Sequence, residues 1–208
     1  MECSTVASMG TSSDWLHVGA DGHTRCWWCG EDEQYMQYHD NEWGRAVRDD
    51  KRLFEKICLE GFQSGLSWIT ILRRREGFRD AFVDFDFRQV AKFSSRDVER
   101  LLKNEGIIRH RGKIEATINN AQRCCELINE EGSLSDFMWS FAPQNSDVPV
   151  GGSHESGIPA VTQSSTELSK ALKKRGWKFV GPTTMYALMQ AVGMVNDHLP
   201  GCFVRDEC

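Results

Sequence analysis

Residues with the softness of metal ligands stand in close pairs near both ends of this chain. Cys26 and Cys29 form a C-x2-C spacing with His39 beyond them, and His198 with Cys202 forms an H-x3-C spacing. Zinc takes four nitrogen or sulfur ligands in a tetrahedron, often delivered as two close pairs. Five candidates of suitable chemistry therefore compete for four places. Either pair alone says little, because a single Cys or His in a helical protein is usually just packed. Together they constrain the fold: an ion shared between the two ends closes nearly the whole chain into one loop. Such a clip removes chain entropy from the unfolded state, as a long-range disulfide does. If protein fills all four places, no position is left for water, and the metal is structural rather than catalytic.

The chain has 208 residues, 40% of them hydrophobic and 26% charged, which suits a soluble globular protein. No apolar run is long enough to span a bilayer. The first residues show no basic stretch followed by an apolar one, so no secretory signal is read there and an intracellular location is expected. The eight cysteines, at 3, 26, 29, 58, 124, 125, 202 and 208, then favour metal binding and buried thiols over a disulfide framework. A net charge of -5 argues mildly against a nucleic-acid partner. The basic residues are clustered, however: Arg73 to Arg75; Arg109, His110, Arg111 and Lys113; and Lys173, Lys174 and Arg175. Each cluster reads equally as a solvated helix face or as a site for an anion.

Residues 1–23 are rich in Ser, Thr and Gly and lack hydrophobic periodicity, which predicts a flexible tail ahead of a single domain over 24–208. From there the pattern is helical. Asp49 and Asp50 precede Leu53, Phe54, Ile57 and Cys58 on one face, with Gly61 as a stop; Leu66 to Arg75 makes a second run. Ser94 with Asp97, Ser133 with Asp136, and Ser164 with Glu167 have the spacing of capping boxes. Ile114 to Ile128 fits a long helix, and Pro182 suits the first position of a helix reaching about Ala191. No segment alternates with period two. The fold class is all-α, with about eight to ten short helices, and residues 143–163 read as a long loop or insertion.

Four stretches carry a resemblance when taken together: YHDNEWG from Tyr38, LEGFQSGLSW from Leu59, GIIRHRGKI from Gly106, and the segment from Lys173 to His198. In order and spacing, from about Arg25 to Cys202, they resemble the 3-methyladenine DNA glycosylase I family. The resemblance implies a helix-hairpin-helix glycosylase-type helical fold and base-excision repair of alkylated double-stranded DNA. It also implies hydrolysis of the N-glycosidic bond of 3-methyladenine after base flipping, by a monofunctional enzyme without strand cleavage, acting as a monomer. It carries one structural zinc on Cys26, His39, His198 and Cys202, leaving Cys29 outside the set with an alternative pairing open. It gives the catalytic role to Glu60 and places Trp28, Tyr38 and Trp68 around the base. Gly65 and Leu66 lie in a family segment that could fill the gap left by an extruded base.

Those roles suit the chemistry. N3-alkylated adenine in DNA is a cation with a weakened glycosidic bond, so recognition matters more than strong acid catalysis. Aromatic faces attract a flat cation, and a carboxylate accepts from the exocyclic amine and complements the charge. Glu60, expected at a helix C-terminus where the macrodipole disfavours an anion, is placed against local preference. Gly176 to Gly181, followed by Pro182, reads as a hairpin or a plain αα turn. Its glycines and the following helix N-terminus suit a phosphate, and Lys174 is adjacent. Asp197 is a rival acid, read as support for His198 or as a helix cap. Trp43 reads as pocket or core, with core preferred.

Overall fold

A computed structural model describes residues 15–144, 149–150 and 156–208. Among them are ten α-helices: α1 Glu33–Asn41, α2 Asp50–Gln63, α3 Trp68–Leu72, α4 Arg75–Ala81, α5 Phe87–Val90, α6 Ser95–Leu101, α7 Arg111–Glu131, α8 Leu134–Trp139, α9 Gln163–Lys174 and α10 Pro182–Ala191. One short hairpin precedes them, β1 Leu16–Val18 antiparallel to β2 Thr24–Cys26, with Leu16 opposite Cys26. This corrects two expectations. The fold is mainly rather than wholly helical, and the ordered chain reaches back at least to Trp15. The pairing gives residues 16–18 a backbone partner that their composition did not advertise. Residues 1–14 of the expected tail lie outside the described residues.

Helix α2 is the axis of the domain. Every residue from Leu53 to Phe62 is buried, as expected of a helix packed on all sides. Asp49 caps it, accepting from Arg52 N–H. Gly61 does not stop it; the helix continues to Gln63. The missing side chain serves packing instead: a Cβ there would lie 3.3 Å from that of Phe179, in the turn before α10. The last carbonyls of α2, unpaired by construction, are met by Lys113 from α7, whose Nζ donates to Phe62 O at 2.8 Å and Ser64 O at 2.6 Å.

Around α2 lies the main core, with Phe54, Phe62, Phe78, Phe82 and Phe85 fully buried. Asp97 accepts from Ser94 N–H, and Pro182 stands at the start of α10, as the spacing predicts. The cap of α9 is Thr162 with Ser165, not Ser164 with Glu167, because the helix begins two residues earlier than that spacing requires. The expected loop over 143–163 is partly tied down: Val150 N donates to Val161 O at 2.7 Å. Helices α9 and α10 pack against each other across the turn at 175–181. Asn120 of α7 holds this turn by exchanging hydrogen bonds with Lys178 N and O.

Candidate functional site

Two sites lie side by side. The first is a cluster of Cys26, His39, His198 and Cys202, all buried, whose ligand atoms fall within 4.8 Å of one another. Cys26 arrives at the end of β2 and His39 in the last turn of α1. His198 and Cys202 come from the segment after α10. Cys202 Sγ lies 3.4 Å from His39 Nε2 and 3.5 Å from His198 Nδ1, and Cys26 Sγ lies 3.9 Å from His198 Nδ1. A tetrahedral ion with bonds of about 2.0–2.3 Å needs ligand separations of roughly 3.3–3.8 Å; two of these separations fall in that range and the third lies just beyond it, so the donor set could hold a metal with a small inward shift.

The outer atoms fit as well. His39 Nδ1 is 2.8 Å from Asp40 Oδ1, which places its proton there and turns Nε2 to the cluster. His198 Nε2 is 3.1 Å from the Trp43 carbonyl, which can only accept, so Nδ1 faces inward. Asp40 is fixed in turn by the buried Arg25 at 2.8 Å. The adjacent Cys26 thiol, with His198 and His39, holds the Cys202 thiol far below its usual range. Cys29 is outside the group: its thiol donates to Cys26 O at 3.2 Å.

The second site is a cavity of about 330 Å³. Trp27 and Trp28 line it, with Tyr35 and Tyr38 from α1, Trp43, Glu60 and Gln63 from α2, and Trp68 from α3. Residues 158–160 and α10, through Thr183, Tyr186, Ala187 and Gln190, close it. The sequence-predicted set Trp28, Tyr38, Glu60 and Trp68 is thus brought together. Tyr38 and Trp68 rings are 5.3 Å apart, and Trp28 and Trp43 rings 5.0 Å. Trp43 serves the core and the cavity at once.

Three charged residues of α2 are buried, with different fates. Glu55 is paired with Arg52 at 2.6 Å and Arg79 at 2.8 Å. Lys56 stands over the Tyr38 ring, 5.3 Å from its centroid, and burial pushes its amine down. Glu60 has one carboxyl oxygen, Oε2, without a partner among the described residues. Burial pushes its pKa up to about 8, only partly opposed by the charge of Lys56. It sits in the last turn of α2, so the sequence argument about the macrodipole holds one turn further in than expected.

The other predicted residues separate. Gly65, in a left-handed conformation at φ 80°, and the exposed Leu66 lie at a groove that continues from Glu60 and Gln63 to Thr183 and Thr184 of α10. Gly181 is the residue before α10. Lys174 and Gly176 instead line a separate recess with Arg123, Glu126 and Glu130, and Gly176 N–H is spent on Lys173 O. Several cluster cations are committed internally: Arg75 to Glu42, Arg111 to Glu99 and Lys113 to the carbonyls above. Asp197 neither contacts His198 by a side-chain bond nor caps a helix. Its Oδ2 accepts from Tyr186 Oη at 2.6 Å and Gln190 Nε2 at 2.8 Å.

Sequence reasoning missed Trp27, Tyr35, Gln63, residues 158–160 and the α10 wall. Helical spacing could have found some: Tyr35 is one turn from Tyr38, Gln63 one turn from Glu60, and Thr183, Ala187 and Gln190 form one stripe.

Comparison with known proteins bears on this geometry. A family model described as methyladenine glycosylase matches residues 28–205. The DNA-3-methyladenine glycosylase 1 of Escherichia coli (strain K12) is 52% identical over 178 residues, covering 86% of this chain and 95% of that protein. The DNA-3-methyladenine glycosylase of Haemophilus influenzae is 49% identical over 182 residues, covering 86% and 96%. A crystal structure of 3-methyladenine DNA glycosylase I, 51% identical, superimposes with a TM-score of 0.80 over 86% of this chain and 98% of that one. A tyrosine variant of such an enzyme in complex with 3-methyladenine, 36% identical, gives 0.80 over 87% and 97%. The match to the family model spans every residue lining the cavity except Trp27, and three of the four clustered residues, and on it the chain belongs to the methyladenine glycosylase family.

Proposed function

We propose that the protein hydrolyses the N-glycosidic bond of 3-methyladenine in alkylated double-stranded DNA, as the base-excising step of repair. One observation carries the reading: a buried carboxyl with an unpartnered oxygen, Glu60, opens on a cavity walled by Trp28, Tyr38 and Trp68. The relatives named for this activity, and a related structure holding 3-methyladenine, support it.

Tyr38 and Glu60 are buried in the cavity wall, out of reach of a base stacked in the duplex, so the nucleotide swings out to reach them. Leu66, exposed beside the mouth, is placed to occupy the gap left in the stack. Inside, the rings stack on the purine cation, and Glu60 accepts from its exocyclic amine. The arriving positive charge draws Glu60 into its ionised form. Water then attacks C1′ and gives up a proton to solvent, the bond from C1′ to the base nitrogen breaks, and its electron pair leaves with the base, which departs neutral. No lysine lines the cavity among the described residues, which supports a monofunctional enzyme without a Schiff base or strand cleavage.

Zinc is the ion that two thiols and two imidazoles suit best. Cys26, His39, His198 and Cys202 would hold it with every position taken by protein, so it supplies cross-linking of the two chain ends and no Lewis-acid step. The α9–turn–α10 unit is read as the helix-hairpin-helix element, with Gly181 and the α10 N-terminus at a phosphate. The working form is read as an intracellular monomer. No helix of the described residues is long and apolar enough to cross a membrane. Chromatography of bases released from methylated duplex DNA tests the activity: free 3-methyladenine is expected, and its absence would overturn the reading.

A further inference from the structure

The α10 wall of the cavity is controlled from outside it. Tyr186 and Gln190 stand one turn apart and both line the cavity, while Asp197, which does not, takes a hydrogen bond from each through the same oxygen, Oδ2. A carboxylate accepts and never donates. Tyr186 has a single O–H, and Asp197 takes it, so Tyr186 cannot donate to a base. Gln190 is pinned through its amide nitrogen, which fixes the plane of the amide against the wall. In the same cavity, Glu60 adds a group that accepts when ionised.

We propose that Asp197 is a positioning residue that sets the hydrogen-bond polarity of this wall and so selects an adenine edge over a guanine edge. This rests on the reading that the cavity takes an N3-alkylated purine. Such an adenine carries an amine donor at C6, whereas the corresponding guanine carries a carbonyl acceptor there. A carbonyl in place of the amine meets the Glu60 acceptor and a Tyr186 whose proton is committed elsewhere, and so leaves water without a replacement partner, which is the kind of mismatch that discriminates strongly. Asp197 thus acts through Tyr186 and Gln190 and touches no reacting atom.

The test compares wild type, Asp197→Ala, Tyr186→Phe and the double variant. Release of 3-methyladenine and 3-methylguanine from the same methylated DNA is measured, with zinc content and Tm taken on each sample. Asp197→Ala removes the shared acceptor and so frees the Tyr186 O–H and the Gln190 N–H to donate into the cavity. The ratio of the two kcat/KM values is expected to narrow by about tenfold with zinc retained. Tyr186→Phe offers no donor either, and should keep the ratio within about twofold of wild type; adding Asp197→Ala to it should narrow the ratio less than in the wild-type background. An unchanged ratio in a zinc-loaded Asp197→Ala, a large shift in Tyr186→Phe alone, or equal narrowing in both backgrounds overturns the inference while leaving the activity standing. Wild type that releases no methylated base at all overturns the activity, and this inference with it.

Discussion

The indole of Trp28 packs on the imidazole of His39 with ring centroids 5.1 Å apart, so the ligand cluster and the cavity share a wall. Trp43 repeats the arrangement, facing the cavity and lying 4.6 Å from the His198 ring. A metal held by the cluster and a base held in the cavity would therefore be mechanically joined.

Removing the metal should act on both. Releasing a closure between residues near 26 and 202 costs on the order of 4 kcal/mol, or about 10 °C in Tm for a domain of this size. Chelation should lower Tm and loosen binding of free 3-methyladenine together. Cys202→Ala and His198→Ala should lose the ion by elemental analysis, and Cys29→Ala should keep it. Full zinc in Cys202→Ala would refute the ligand set.

Replacing Glu60 should separate activity from stability. Its folded pKa of about 8 stands above the ordinary value of 4.5. The folded protein therefore holds the extra proton, and the stability tied to it is lost as pH rises from 4.5 towards 8. Glu60→Gln removes that loss. The variant should melt higher than wild type at pH 9, by on the order of 3 kcal/mol, and about equally at pH 4. Its base release should fall about 10- to 100-fold, the worth of a charge-assisted hydrogen bond. A variant with unchanged melting at pH 9 would show that Glu60 is not desolvated.

The same shift predicts a pH profile. A cationic base prefers the ionised carboxylate, whose fraction in the free protein grows steeply up to a pH of about 8, where it reaches one half. Affinity of the cationic substrate, read as kcat/KM at fixed ionic strength, should rise towards that pH and then level off. In Glu60→Gln this rising limb should vanish. A limb that persists there belongs to another group.

Leu66 is 40% exposed, so it adds little to the core. Leu66→Ala should leave Tm within about 1 °C, because surface substitutions rarely exceed ±0.5 kcal/mol. Release of base from duplex DNA should drop severalfold while binding of the free base stays the same. Equal loss in both assays would place the defect in the cavity instead.

Much of the helical scaffold was readable from local pattern. Asp49, Ser133 and Pro182 start helices where their spacing predicts, because a cap is decided by residues three or four positions apart. Gly61 misled for a related reason: glycine permits a helix end but does not require one, and here its bareness admits Phe179. The hairpin at 16–18 was missed because three residues are too few to show alternation. The basic clusters misled as well, since sequence shows cations but not the carboxylates across space that Arg75 and Arg111 meet.

By itself the sequence determined the ligand types at the two ends, the order and rough bounds of the main helices, and motifs specific enough to carry a family resemblance. These are properties of residue identity and short spacing. Only the tertiary structure decided that Cys29 turns away from the cluster, that Asp197 reaches Tyr186 and Gln190, that residues 158–160 close the cavity, and that Glu60 holds its proton. Each of those depends on which distant segments meet and how much water their meeting excludes, and desolvation is set by surroundings that no local stretch of chain contains.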